Sequence, residues 1–214
     1  AAIDALIELH RLPPGPFVDY SLAEYQREAK LFVDWYCPAR NLYVDGAGYA
    51  AAWEEALGPL LPRQRPGVVV LRDYHAENIM LLGGLHDQGL LDFQDALVGH
   101  PAYDLVSLLQ DARRDVSPEL EAAMLEYYVG KAAPDADFTA DYARLGAQRN
   151  AKIVGIFVRL WKRDGKPRYL DYIPRVWALL ERDLAHPALA PVARWFDANV
   201  PAQLRASGGG SWQP

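Results

Sequence analysis

Three short apolar runs near the middle of the chain constrain its fold more than any other feature. They cover residues 68–71, 79–82 and 89–91, and glycine lies beside each of them. Short runs rich in Val, Ile and Leu that are bounded by glycine are typical of β-strands. Elsewhere the apolar residues recur at helical spacing. We therefore predict a mainly α-helical fold with a small β-hairpin, three short strands in all.

The predicted helices surround these strands in the sequence. They cover residues 3–12, 21–37, 48–61, 119–131, 139–162, 169–185 and 188–199, and a further helix begins at Pro101. Ser21 and Glu24 form a capping-box pattern at one helix start, and Pro38 is expected to end that helix. Residues 1–202 are expected to form one helical lobe with its core motifs at 68–111. The Gly-rich segment 203–214 is expected to be a flexible tail.

Polar residues that suit phosphoryl transfer lie at the ends of the predicted strands. Asp73 and Asn78 lie in the loop between the first two strands, and Asp92 follows the third. Kinases use one carboxylate as the base for the substrate hydroxyl. They use an amide oxygen and a second carboxylate to hold Mg²⁺ against the nucleotide phosphates. Asp-x-x-x-x-Asn alone is a common pattern, so the strand context carries this prediction.

Composition excludes several other classes of protein. The formal net charge of −6 argues against a general nucleic-acid binder, which would carry a basic face. Cys37 is the sole cysteine, so the His-x-Glu at residues 75–77 lacks the cysteine pair of a zinc deaminase. No apolar run approaches the ~18 residues of a membrane span. The sequence does not start like a signal peptide, so the default location is the cytoplasm.

Residues 68–111 resemble the aminoglycoside phosphotransferase and choline kinase superfamily. The phrases Phe-Gln-Asp-Ala at 93–96 and Gly-His-Pro-Ala-Tyr-Asp-Leu at 99–105 are most similar to those of bacterial N-acetylmuramate/N-acetylglucosamine anomeric kinases of cell-wall recycling. The resemblance implies the C-terminal lobe of a protein-kinase-like fold. It also implies ATP and Mg²⁺ as cofactors and a small sugar as the substrate, phosphorylated on its anomeric hydroxyl.

The resemblance also implies roles for individual residues. Asp73 would be the catalytic base, and Asn78 and Asp92 would be the metal ligands. Asp104 would be a structural acid that supports the site. The remaining supporting residues of the loop would be Arg72 and His75. One position departs from the family pattern, because this chain has Leu71 where the family usually has a histidine.

Two parts of a kinase are missing from the sequence. A Gly-rich loop that covers the phosphates and a strand lysine that reaches them are both expected before the base. Lys30 is the only lysine before Asp73, and it lies in a predicted helix. We therefore expect the N-terminal nucleotide-clamping lobe to be absent from this chain. The chain alone is expected to be inactive.

Candidate substrate-binding residues follow the motif or lie on later helices. They are Gln94, Asp95, Arg113, Arg114, Arg149, Asn150 and Lys152. An arginine would suit the lactyl carboxylate of N-acetylmuramate, because its guanidinium can donate two parallel hydrogen bonds. Each arginine or lysine also fits an ordinary exposed helical charge, and Gln94 and Asp95 also fit a turn cap.

Other functions stay open at the level of sequence. Aminoglycosides or choline would need clustered carboxylates, and the acidic residues at 111–121 are interleaved with two arginines. A protein kinase is disfavoured because the segment after Asp92 is too short for an activation loop. A non-catalytic helical binding domain that retains a phosphotransferase-like loop is the alternative from another class.

Overall fold

A computed structural model describes residues 1–84 and 87–212. The α-helices are α1 (Ala2–His10), α2 (Leu22–Ala29), α3 (Cys37–Ala39), α4 (Gly46–Leu57), α5 (Leu60–Arg63), α6 (Ala102–Leu109), α7 (Pro118–Ala132), α8 (Phe138–Asp164), α9 (Ile173–Leu184), α10 (Ala190–Asn199) and α11 (Ala202–Ala206). The strands are β1 (Val68–Val70), β2 (Ile79–Gly84), β3 (Asp87–Leu90) and β4 (Leu97–Gly99). A π-helical turn covers Phe32–Tyr36, and 3₁₀ turns cover Ala76–Asn78, Pro167–Tyr172 and Pro187–Leu189.

The prediction of a mainly helical fold with a few short strands is confirmed. The three predicted strands correspond to β1, β2 and β3, and β2 pairs antiparallel with β3. The fourth strand, β4, was not predicted, and it pairs antiparallel with β1. Three residues that include a glycine give too little periodicity to identify a strand.

The described residues divide into two compact units, and the first comprises residues 1–20 and 60–142. In this unit α1 contacts α6, α7 and β1. Leu6, Val70, Leu105 and Val106 are fully buried and supply part of its core. The chain segment around Asp19 pairs in parallel with β4, so β4 has a neighbour on both edges.

The second unit comprises residues 21–59 and 143–214. Its core is aromatic. The ring centre of Phe32 lies 4.8 Å from the ring centre of Tyr36 and 5.1 Å from the ring centre of Phe196. The Tyr36 and Trp177 ring centres are 4.9 Å apart. Gly155 allows α8 to approach the backbone at Leu31, because a Cβ there would lie 2.3 Å from the Leu31 carbonyl atoms.

The helical segment that was predicted to end at Pro38 ends at Ala39, one residue later. The π-helical turn at Phe32–Tyr36 precedes Pro38, and the Cys37 N–H donates to the Phe32 carbonyl five residues back. The backbone stays helical through Tyr36 and Cys37, so Pro38 lies in the last turn of a continuous helical segment.

The Gly-rich tail expected at 203–214 begins within helix α11. Further along, the Gly209 carbonyl accepts hydrogen bonds from the Tyr36 hydroxyl at 3.0 Å and from Arg40 Nη2 at 2.6 Å. The Arg40 guanidinium carbon lies 3.4 Å from the ring centre of Trp212. Over these residues the tail packs within the second unit, whereas a flexible tail was expected. Residues 213–214 lie outside the described part of the chain.

Within residues 1–84 and 87–212, no helix combines the length and the apolar composition that crossing a membrane requires.

A buried ionic network lies in the first unit. Asp141 is fully buried and accepts two hydrogen bonds from Arg63, at 2.7 Å from Nε and 2.6 Å from Nη2. His100 Nε2 lies 3.3 Å from Asp141 Oδ2. Burial alone would raise the pKa of the Asp141 carboxyl, but the hydrogen bonds and charges of Arg63 and His100 lower that pKa below its ordinary range.

We expect Asp141→Ala to lower the free energy of unfolding of this chain by about 3 kcal/mol, because the partly buried Arg63 loses its buried carboxylate partner and keeps only the exposed Asp137 at 3.4 Å. Urea unfolding at pH 7 measures this change. Asp19→Ala is the control, because Asp19 and Arg65 form an exposed pair, which is typically worth under about 1 kcal/mol. Equal effects of the two substitutions would contradict the prediction.

The pH dependence of the Asp141 effect has a definite sign. The folded-state pKa of Asp141 is depressed, so its contribution is present above the ordinary carboxyl pKa of about 3.9. It is lost as pH falls through the lower folded-state value. The difference in stability between parent and Asp141→Ala should therefore be largest near neutral pH and shrink below about pH 4.

Candidate active site

The loop between β1 and β2 is fixed at its start by a buried carboxylate. Asp104 on α6 is fully buried and accepts hydrogen bonds from the Leu71 N–H at 2.6 Å and the Arg72 N–H at 2.9 Å. Arg72 has a φ of 72°, which is uncommon for a residue other than glycine. The two hydrogen bonds hold this backbone conformation, after which Asp73 is exposed and Tyr74 is buried.

Hydrogen bonds close the loop into a compact turn that brings Asn78 back to Asp73. The Asp73 carbonyl accepts from the His75 N–H at 3.0 Å and from Asn78 Nδ2 at 2.9 Å. The Asn78 N–H donates to the His75 carbonyl at 2.9 Å. With its nitrogen donating into the turn, the Asn78 amide has its oxygen, Oδ1, left as an acceptor.

The pairing of β2 with β3 brings the backbone at Asp92 close to that at Asn78. Ile79 lies opposite Leu90 in the register, and the Leu91 N–H donates to the Asn78 carbonyl at 2.9 Å. Asp92 therefore follows the residue that is paired with Asn78. Its φ is 59°, so the chain turns at this position, and its side chain is exposed.

The chemistry of Asn78 and Asp92 fits a hard divalent cation. Both side chains offer oxygen donors, which Mg²⁺ prefers, and Mg²⁺ usually takes one or two protein ligands together with water and substrate phosphates. In the part of the chain that the structure describes, no cluster of three or more His, Cys, Asp or Glu could enclose a metal. A site completed by a nucleotide is consistent with both observations.

The residues that follow Asp92 lie close to it. Gln94 donates from its side-chain amide to Asp92 Oδ1. Arg72 Nη1 donates to the Asp95 carbonyl at 3.3 Å, so the side chain of Arg72 joins its loop to this segment. Gln94 and Asp95 are both exposed. The structure therefore brings these sequence-predicted residues together with Asp92.

Arg113 and Arg114 lie in the segment after α6 and differ in their contacts. Arg113 reaches the loop, with Nη1 3.4 Å from His75 Nε2 and Nε 3.7 Å from Glu77 Oε2. Arg114 is exposed and lines a largely apolar cavity of about 480 Å³ in the first unit.

The three remaining candidates lie on α8 in the second unit. Lys152 Nζ forms a 2.8 Å ion pair with Glu28 Oε1, which is itself buried. Asn150 Nδ2 donates to Asp183 Oδ2 at 3.1 Å. Arg149 is buried as well. Asn150 and Lys152 are therefore held within the unit by specific partners, and none of the three residues is an exposed helical charge.

Sequence reasoning missed the acidic partners of these residues. Glu28 lies three residues after Tyr25 and four before Phe32, both on the apolar face of their helical segment. A carboxylate on an apolar helical face indicates a buried ion pair. That signal was present in the sequence. Asp183 gave a weaker signal, because it lies at the end of an amphipathic helix.

Comparison with known proteins adds to this geometry. The profile of the phosphotransferase enzyme family, APH, matches residues 1–147. A protein named N-acetylmuramate/N-acetylglucosamine kinase from Caulobacter vibrioides is 43% identical over 223 aligned positions, which cover 96% of this chain and 61% of that protein. Proteins of the same name from Pseudomonas aeruginosa and Neisseria meningitidis are 39% and 36% identical. These alignments cover 96% and 89% of the chain.

The lengths of these relatives differ from that of the chain. The alignments cover 61%, 63% and 60% of the three relatives. The chain therefore spans about three fifths of the length of the curated proteins that it matches.

Proposed function

The chain belongs to the phosphotransferase enzyme family, and from this premise we propose that it is the helical C-terminal lobe of an ATP-dependent sugar kinase. The proposed substrate is an N-acetylated amino sugar, N-acetylmuramate or N-acetylglucosamine. The proposed reaction transfers the γ-phosphoryl group of ATP to the anomeric hydroxyl. The names of the relatives, at 43% and 39% identity, support the substrate class.

The observation that carries the proposal is the arrangement of three side chains on one loop and one strand end. Asp73 is exposed beside a turn that its own carbonyl holds together with Asn78. The strand register brings Asp92 next to the partner of Asn78. A carboxylate base beside two oxygen donors for a cation is the arrangement that phosphoryl transfer requires.

In the proposed mechanism, Asp73 orients the anomeric hydroxyl and accepts its proton. The sugar oxygen then bonds to the γ-phosphorus while the bond between that phosphorus and the β,γ-bridging oxygen breaks, which releases ADP. Asn78 and Asp92 would hold Mg²⁺, which supplies positive charge against the phosphate oxygens. Asp104 keeps Asp73 in place through the two amides that precede it.

The proposal includes a second lobe outside this chain. The relatives are longer by about two fifths of their own length, and the chain lacks a Gly-rich phosphate loop followed by a strand lysine. We propose that the missing lobe supplies these elements and that this chain alone is inactive. Because ATP is the proposed donor, the proposed location is the cytoplasm.

The proposed substrate contacts are polar residues that follow Asp92 or lie on later segments of the chain. Gln94 and Asp95 are exposed beside Asp92, so they could bond sugar hydroxyls. Arg114 offers an exposed guanidinium for the lactyl carboxylate. Arg149, Asn150 and Lys152 are proposed as sugar contacts from the sequence alone. A sugar that binds Asn150 or Lys152 would share these side chains with Asp183 and Glu28, their present partners.

A substrate panel tests the proposed function. The full-length protein, meaning this chain joined to the lobe proposed above, is incubated with labelled ATP and each of N-acetylmuramate, N-acetylglucosamine, kanamycin and choline. We expect efficient phosphorylation of the two acetamido sugars at the anomeric oxygen and poor turnover of the amines. The position of the phosphate is established by ³¹P–¹H NMR of the product.

The same panel contains the outcomes that would contradict the proposal. Efficient turnover of kanamycin or choline with none of the sugars would identify an amine kinase. Absence of turnover with every compound, together with sugar binding by calorimetry, would favour a non-catalytic binding domain. The 214-residue chain assayed in parallel should show no turnover, and measurable activity would contradict the proposal of a required second lobe.

A further inference from the structure

Arg113 lies outside the loop of residues 73–78 but touches it at two points. Its Nη1 is 3.4 Å from His75 Nε2, and its Nε is 3.7 Å from Glu77 Oε2. Its own backbone is fixed, because the Arg113 N–H donates to Asp111 Oδ1 at 2.9 Å. The backbone of Arg113 is therefore fixed in the segment after α6, and its guanidinium is directed at the loop.

The contact with Arg113 determines which nitrogen of His75 carries the proton. A guanidinium has five N–H donors and no acceptor. His75 Nε2 can make this contact only as an acceptor, which places the proton of the neutral ring on Nδ1. His75 is 6% exposed, so water has little access to replace the arginine as the donor.

The same His75 nitrogen faces the amide of Asn78. Asn78 Nδ2 lies 3.4 Å from His75 Nε2 and 2.9 Å from the Asp73 carbonyl. With Nε2 as an acceptor, its single lone pair is shared by Arg113 and one hydrogen of the Asn78 amide, and the Asp73 carbonyl accepts the other hydrogen. With the proton on Nε2 instead, the Nε2–H of His75 would face the Nδ2–H of Asn78. The Asn78 amide would then lose one of its two contacts in the turn.

We propose that Arg113 is a positioning residue for the cation ligand Asn78 and that it acts through the tautomer of His75. By holding Nε2 as an acceptor, Arg113 fixes the Asn78 amide with its nitrogen inward and Oδ1 free for a divalent cation. Residues that orient a metal ligand in this way typically change metal affinity or activity by 10–100-fold when they are replaced. The cation part of this inference rests on the proposed function, whereas the tautomer part does not.

The tautomer is tested first, by NMR and without any assay of activity. The 214-residue chain is labelled with ¹⁵N-histidine, and long-range ¹H–¹⁵N correlations are recorded at one fixed pH. The His75 signals are assigned from their loss in His75→Gln. We expect the parent to show the Nδ1–H pattern, Arg113→Gln to lose it or to show a mixture, and Arg113→Lys to retain more of it.

The control for this measurement removes another guanidinium from the first unit. Arg11 pairs with Glu8 on an exposed surface, so Arg11→Gln should leave the His75 pattern unchanged. If the parent shows the Nε2–H pattern, or if Arg113→Gln leaves the Nδ1–H pattern intact, the inference is overturned. Either result leaves the proposed kinase function untouched.

Kinetics of the full-length protein test the consequence for the cation. We expect Arg113→Gln to raise the Mg²⁺ concentration for half-maximal activity about 10–100-fold, with the KM for each sugar changed less than twofold. Arg113→Lys should recover part of the loss, because it keeps a donor at this position. Circular dichroism and urea midpoints establish that each variant is folded. If Arg113→Gln does not fold, the Mg²⁺ requirement is measured on Arg113→Lys instead.

A direct role of Arg113 in binding sugar would give the opposite pattern. In that case Arg113→Gln would raise the KM for N-acetylmuramate, which carries a carboxylate, more than the KM for N-acetylglucosamine. The Mg²⁺ requirement would stay at the parent value. This result would reassign Arg113 to the substrate and would overturn the positioning role.

Discussion

Asp73→Asn should lower kcat of the full-length protein by about 10²-fold or more, because general-base catalysis typically contributes 10²–10⁴-fold. The amide keeps the size and shape of the carboxylate but cannot accept the proton of the sugar hydroxyl. The backbone of the loop should be unaffected, since Asp73 contributes its carbonyl, not its side chain, to the turn. Steady-state release of ADP with N-acetylglucosamine measures kcat.

Nucleotide binding separates this effect from a loss of structure. The dissociation constant of ATP–Mg²⁺, measured by calorimetry, should stay within a few-fold of the parent because Asp73 is not a proposed cation ligand. Asp19→Asn is the control for the loss of one exposed carboxylate in the same unit. A kcat for Asp73→Asn within a few-fold of the parent would remove Asp73 from the role of base.

The sequence was sufficient to predict the elements around Asp73. The β-branched and glycine-bounded runs gave β1, β2 and β3, because their signal is local. The exposed polar ends of these strands then indicated the candidate site residues, and their roles stay predictions. Helix starts at Ser21 and Ser117 were also predictable, since each serine accepts a hydrogen bond from a backbone N–H three residues later.

What the sequence could not predict depends on contacts between distant residues. The segment that carries Arg113 has no periodicity, so its reach to His75, 38 positions earlier, has no local signal. The strand β4 exists because β1 and the Asp19 segment supply partners on both of its edges. The π-helical turn before Pro38 likewise reflects packing of the aromatic core around Phe32.

The buried acid Asp104 illustrates the boundary between the two cases. Its place in the Tyr-Asp-Leu phrase suggested a structural role by resemblance. The partners themselves, the N–H groups of Leu71 and Arg72, lie more than 30 residues away and appear only in the folded chain. A buried carboxylate that accepts two backbone hydrogen bonds compensates its own burial and fixes the loop at the same time.

Asp92→Ala should nearly abolish Mg²⁺-dependent turnover of the full-length protein. A bound cation contributes several kcal/mol of charge stabilisation in the transition state, and a loss of about 4 kcal/mol corresponds to about 10³-fold in rate. Asp92→Asn should retain more activity than Asp92→Ala, because it keeps an oxygen donor but not the negative charge. Turnover is measured as a function of Mg²⁺ concentration with ATP and sugar both saturating.

The control for Asp92→Ala is Asp87→Ala, an exposed acid on β3 that is not a proposed ligand and should leave turnover at the parent level. The two central substitutions then differ in kind. We expect Asp73→Asn to lower kcat at every Mg²⁺ concentration. We expect Asp92→Ala also to weaken ATP–Mg²⁺ binding, because the proposed cation site would lose its charged ligand. If Asp92→Ala retains the Mg²⁺ dependence of the parent, the cation is held elsewhere and the assignment of Asn78 fails with it.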